Sequence, residues 1–237
     1  MVSPTPKTVL DEPARNAANV KEATALAGFP VQLVTARSDT PSLSVVGARD
    51  IETTVERQQL RTILDEAGED TVATPAALQG APFGISAPRA VRAEYGHCPA
   101  PVANTIQGQL QGSPPPSTDY GDCVVLQESP AARVTAPPGL NVPVLADIAL
   151  QLSGMSPDQT AAFDRRVNTN GALALSLPRF VRSYDTVSVN GAPAMLFNTA
   201  GRRGPTYALV WSANNLVFQL SSYGNPGGAV ALASSVR

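Results

Sequence analysis

Apolar positions in the last fifth of the chain recur every second residue. Tyr207, Leu209 and Trp211 fall on one face of an extended segment, and Leu216, Phe218 and Leu220 repeat the pattern after the polar stretch 212–215. That period marks a half-buried antiparallel strand pair. Just upstream, Val187 and Val189 alternate before Asn190-Gly191, and a second apolar run follows to Phe197. Asn-Gly is a strong signal for a two-residue hairpin, because a type I′ turn needs positive φ at both central positions. Pro193 has no N–H for a ladder and belongs at a strand start or an edge.

Elsewhere the pattern mixes helical and extended periods. Asp11, Glu12 and Pro13 predict a helix start, Ala17, Val20, Ala23, Leu26 and Ala27 its apolar stripe, and Gly28 its end. Residues 29–34 then read as a strand, as do 43–46, 50–55, 83–85, 90–95 and 123–127, the last pairing with 132–136. Leu60, Ile63, Leu64 and Ala67 fall at helical intervals, with Arg61 and Asp65 spaced to pair on the solvated side. Residues 143–152 predict a helix. Ser156, Pro157 and Gln159 predict the capped start of another, reaching about Val167. A further strand is expected at 172–177, and a short helix or turn at 229–233.

Together these elements predict an α+β fold: a large, curved antiparallel sheet of half-barrel type, covered by short helices. Residues 1–10 read as linker or disordered chain. Residues 11–237 read as one domain, built on one sheet, with a Pro/Gly-rich insertion at about 99–120 that includes three consecutive prolines, Pro114 to Pro116.

Composition excludes more than it assigns. Only 15% of residues are charged and the net charge is −2, so no basic field exists to bind nucleic acid. Lysine occurs only at Lys7 and Lys21. No apolar run approaches the roughly 20 residues of a membrane span. The two cysteines, Cys98 and Cys123, read as one disulfide, with free thiols or a metal pair as the alternatives. The single histidine, His97, adjoins Cys98; with Asp122 it makes no recognised ligand spacing. A bridge would stabilise by roughly 3 kcal/mol on the chain-entropy model and implies an oxidising compartment.

Phosphate-binding loops, zinc-protease motifs and nucleophile elbows are all missing from the sequence. With one histidine, a Ser-His-Asp relay is not expected, and neither a catalytic residue nor a cofactor is assigned. The carboxylate pairs Asp65/Glu66 and Glu69/Asp70 read as solvated helix ends. Arg202 and Arg203, in a Gly-flanked loop, are candidates to grip a partner's carboxylates, against the plainer reading of a solvated loop tip.

The order of elements over residues 186–237 resembles the C-terminal part of bacterial extracytoplasmic domains related to the lipoprotein carrier and to RseB-like anti-sigma regulators. Val187, Val189, Asn190, Gly191, Leu209, Trp211, Leu220, Ala233 and Ser235 carry that resemblance, and Gly28, Phe29 and Val31 match a common opening of the family. It implies a cavity between sheet and helices, walled by Tyr207, Leu209, Trp211 and Phe218, that takes an acyl chain. The same residues also suit a filled core. The expected function is a non-enzymatic extracytoplasmic sensor or regulatory domain that binds a protein partner or a lipid-like ligand. A periplasmic lipid or lipoprotein carrier is the alternative, and a hydrolase with an unrecognised site the third. Location would be periplasmic, cell-surface or secreted, with any signal or membrane tether upstream of Met1.

Overall fold

The computed structural model describes residues 7–66, 68, 72–99, 120–152, 156, 160, 181–199 and 207–237. Among them, twelve strands form two antiparallel sheets, neither closed into a barrel, and four short α-helices accompany them. The fold class is α+β.

Strands β1 (Lys7–Asp11), β4 (Arg49–Thr54), β5 (Pro82–Ala87) and β8 (Arg133–Thr135) build a four-stranded sheet in the order β1-β4-β5-β8. The larger sheet takes β2 (Arg15–Ala17), β3 (Ser42–Val46), β6 (Ala90–Tyr95), β7 (Val124–Pro130), β9 (Val181–Val189), β10 (Ala192–Thr199), β11 (Tyr207–Ala213) and β12 (Leu216–Ser222). Its order is β2-β3-β6-β7-β12-β11-β10-β9.

Two tight hairpins set the register of its C-terminal half. Asn190 and Gly191 both have positive φ, 51° and 84°, as a type I′ turn requires. Asn214 and Asn215, at 52° and 62°, make the same turn between β11 and β12 with no glycine at all. Asparagine tolerates this region because its short amide bonds locally. The register that follows pairs Trp211 with Phe218 and Leu209 with Leu220, so the alternating apolar residues share one face.

That face carries the core. Leu43, Val91, Leu126, Leu209, Phe218 and Leu220 are buried there, under α1 (Val20–Ala27) and the short C-terminal helix Ala229–Ser234. The first of these helices starts later than the sequence predicts. Asn19 caps it by accepting from Glu22 N at 3.0 Å, while Glu22 reaches back to Ala18 N at 2.8 Å. This reciprocal arrangement satisfies orphan N–H groups that Asp11–Pro13 would leave to water. Residues 15–17 instead form edge strand β2, and Gly28 closes the helix in the left-handed conformation.

Other expectations shift in the same way. Residues 7–10, read as linker, belong to β1, which pairs with β4 along its length and is exposed at every position. The strands do not share one sheet. The chain leaves the large sheet at Gly47-Ala48, where Glu12 N donates to Ala48 O at 3.0 Å, and enters the small one. Residues 133–135 do not pair with β7 but with β5, because Pro130 ends β7 and lets the chain change sheets. Residues 29–34 form no strand; only Val34 bridges, to Val236. The helix α2 (Arg57–Glu66) and its Arg61–Asp65 pair are present as expected, as is α3 (Val142–Leu152). The Pro/Gly-rich insertion between 100 and 119, the strand expected at 172–177 and most of the helix expected from Ser156 lie outside the described residues.

Candidate ligand pocket

A rung of directly opposed residues crosses the large sheet: Val45, Val91, Glu128, Phe218, Trp211, Ala194 and Val187, one from each successive strand from β3 to β9. Opposed residues in an antiparallel pair point to the same side, so all seven face the core. Six are apolar. At the middle of the rung, where β12 meets β11, Trp211 stacks on Phe218 with ring centroids 5.1 Å apart and planes 10° from parallel.

Beside this stack lies a cavity of about 470 Å³. Trp211, Phe218, Ala213 and Ala233 are among its apolar lining residues. Half-buried Gln32 and exposed Arg237 are among the polar residues at its rim. Its size falls in the range of small-molecule sites, roughly 300–1,000 Å³. Of the four residues named from the sequence, Trp211 and Phe218 line this pocket and Tyr207 and Leu209, further along the strands on the same face, do not; all four are buried to 3% exposure or less. A second hollow, of about 630 Å³, separates the two sheets near Glu12, Arg49, Gln127 and Ser129. Its charges are paired with one another: Glu12 with Arg89 at 2.7 Å, and Asp11 with Arg49 across the β1–β4 pair at 3.0 Å. Arg89 and the Ala48 N–H hold the Glu12 carboxyl down to about 2.

Residues 29–37 cross the core face as a strap, packing Phe29, Val31, Leu33 and Val34 on the core and contributing Gln32 to the lining of the first pocket. Its polar backbone groups are satisfied by specific partners. Leu33 and Arg237 exchange backbone bonds at 2.8 and 3.1 Å, and Thr35 N donates to Ser235 O. Val34 N donates to the Tyr95 hydroxyl at 2.9 Å, and Gln32 N to Glu128 Oε1 at 2.9 Å. At its far end Arg37 forks onto Asp39 at 2.7 and 2.8 Å and reaches Asp122 O.

Glu128 is the residue that the sequence reading passed over. It sits 1% exposed in the apolar rung, with Oε1 taken by the strap and Oε2 buried without a hydrogen-bond partner. Burial pushes its carboxyl up to about 7, and the Gln32 N–H pulls the other way. The signal was available: Val124, Leu126 and Glu128 continue one period-two face, so extending the strand past Gln127 turns the glutamate inward.

Cys98 and Cys123 form a disulfide, with an S–S distance of 2.08 Å. It closes the turn ends of β6 and β7. There Asp122 accepts from His97 N at 3.2 Å, and its Oδ2 lies 2.8 Å from His97 Nδ1, which holds the carboxyl below its usual value. Among the described residues no group of three or more His, Cys, Asp or Glu is arranged to hold a metal, and no helix is long and apolar enough to cross a membrane. Arg202 and Arg203 lie outside the described residues.

No family model, curated protein or solved structure gives a significant match to the chain.

Proposed function

We propose that the chain is a non-enzymatic, extracytoplasmic ligand-binding domain of sensor or regulatory type, with an acyl chain or similar apolar body as its ligand. The observation that carries this reading is the pocket of about 470 Å³ on the Trp211–Phe218 stack, set between the sheet and the C-terminal helix. The resemblance of residues 186–237 to lipoprotein-carrier and RseB-like domains supports the same reading, and the Cys98–Cys123 disulfide suits an oxidising compartment.

Trp211 is the only tryptophan in the chain, so its fluorescence reports on the pocket directly. Titration with a neutral monoacylglycerol should change Trp211 emission in a saturable way. Ala213→Phe, which fills the pocket from β11, should abolish that response while far-UV circular dichroism stays native. A flat titration of the folded wild-type protein, together with a bare mass for protein taken from its own host in native mass spectrometry, would remove the apolar-ligand reading.

A further inference from the structure

We infer that Glu128 is a proton-operated latch on the strap: while its carboxyl holds a proton, residues 29–37 stay closed beside the Trp211 pocket, and once the proton is lost the carboxylate's need for water outweighs its stronger bond to the Gln32 N–H and opens the pocket rim. The inference rests on the pocket reading for its purpose but on the latch geometry for its substance.

Glu128 adjoins two residues that line the pocket: across the sheet it opposes Phe218, and its Oε1 accepts from the backbone N–H of Gln32. Its Oε2 has no hydrogen-bond donor. A carboxylate in this place has one N–H bond against a wall of Val91, Phe218 and Leu126, far short of the donors an ion needs when water is excluded. The strap is the cover whose displacement admits water. It belongs to no strand: one isolated bridge and individual bonds to Glu128, Tyr95, Ser235 and Arg237 hold residues 32–35, whereas β7 and β12, neighbours in the large sheet, are paired in a long register.

No neighbouring group masks the switch. Tyr95 on β6 is the titratable side chain that interacts with Glu128; burial pushes its hydroxyl above the usual value, so it stays neutral. Beyond it on the strap, Arg37 holds the Asp39 carboxyl at about 2, so that pair keeps its charges throughout. β12 and the helix Ala229–Ser234 contain no titratable residue, α1 turns Lys21 and Glu22 to solvent, and Arg237 at the rim is exposed. Glu128 itself is held at about 7 by its burial, which places the transition near neutrality.

The test is amide hydrogen exchange of the ligand-free protein between about pH 5 and about pH 8.5, each amide corrected for its intrinsic rate. Protection of Gln32, Leu33 and Val34 should fall as pH rises, by up to about 75-fold over this range, the part of the shift from 4.5 to about 7 that lies within it. At every pH it should lie below that of core amides such as Leu209 and Leu220. In Glu128→Gln the strap's protection should be flat with pH. Wild-type protection that does not change, an equal fall in Glu128→Gln, or strap amides exchanging only together with the core would each overturn the latch. If Glu128→Gln does not fold, the wild-type comparison of strap with core still decides. Monoacylglycerol binding separates the two ideas. Binding that is absent at every pH removes the apolar ligand and leaves the latch to be judged by exchange. Binding that ignores pH removes the latch and keeps the ligand.

Discussion

Replacing Glu128 with glutamine should change how stability depends on pH. In the folded protein the carboxyl is held at about 7 against an ordinary value of 4.5. Below 4.5 the group is protonated in both folded and unfolded chains, and burial of a charge costs nothing. Between 4.5 and 7 the unfolded chain releases its proton while the folded one keeps it, so stability falls as pH rises. Above 7 both are ionised and the whole cost is present. A shift of this size at roughly 1.4 kcal/mol per pKa unit corresponds to about 3 kcal/mol. Glutamine keeps an oxygen for the Gln32 N–H and carries no charge, so the slope disappears. Its NH₂ group brings donors into an apolar rung at a cost of about 1–3 kcal/mol, but that cost is the same at every pH. The informative quantity is therefore the difference between wild type and variant at pH 8, minus the difference at pH 4.5: about 3 kcal/mol in favour of glutamine, on the order of 10 °C in Tm for a chain of this size. Glu12 and Asp39, both held at about 2, add stability that is lost only as pH falls below about 4. They act equally in both proteins and cancel. Urea melts read by far-UV circular dichroism at four pH values measure the difference. Parallel wild-type and variant curves would refute the argument, since they would mean that water already reaches the carboxyl in the closed state.

Two further outcomes follow from the fold. Cys98→Ser with Cys123→Ser should cost about 3 kcal/mol, and a reducing agent should lower the wild-type Tm to match; a melt indifferent to reductant would show that the bridge carries no stability. Gly47→Ala places a Cβ 2.0 Å from Glu12 O, a backbone atom that cannot move without breaking the Glu12–Ala48 bonds, so a loss of about 1–3 kcal/mol or more is expected in thermal melts, and an unchanged Tm would contradict the close approach.

The C-terminal hairpins were legible because local signals and the global fold agree there. Asn190-Gly191 fixes a turn, the alternation on either side fixes a face, and nothing distant competes. The strap was misread for the opposite reason. Residues 29–34 alternate like a strand, but their N–H groups go to partners remote in sequence: Glu128, Tyr95 and Arg237. Propensity cannot report such bonds. The assignment of strands to two sheets was invisible for a similar cause, since β3 and β4 are separated by only Gly47 and Ala48, and no periodicity distinguishes a short turn within a sheet from a step between sheets. Trp211 and Phe218 were legible as an aromatic pair, while the pocket beside them depends on how the C-terminal helix and strap close, which a sequence pattern does not contain.

The Cys98–Cys123 bridge has a consequence for tolerance to change. It pins the two ends of a 25-residue span at a Cα separation of 4.9 Å, at the tips of two strands already paired through Tyr95 and Val124. The bridge thereby fixes the ends of that span independently of its length. Doubling a loop's length costs only about 0.6 kcal/mol in closure entropy. Between the cysteines is therefore the place to splice in an epitope or a tag, because the bridge and the β6–β7 register hold the ends of that span together whatever its length.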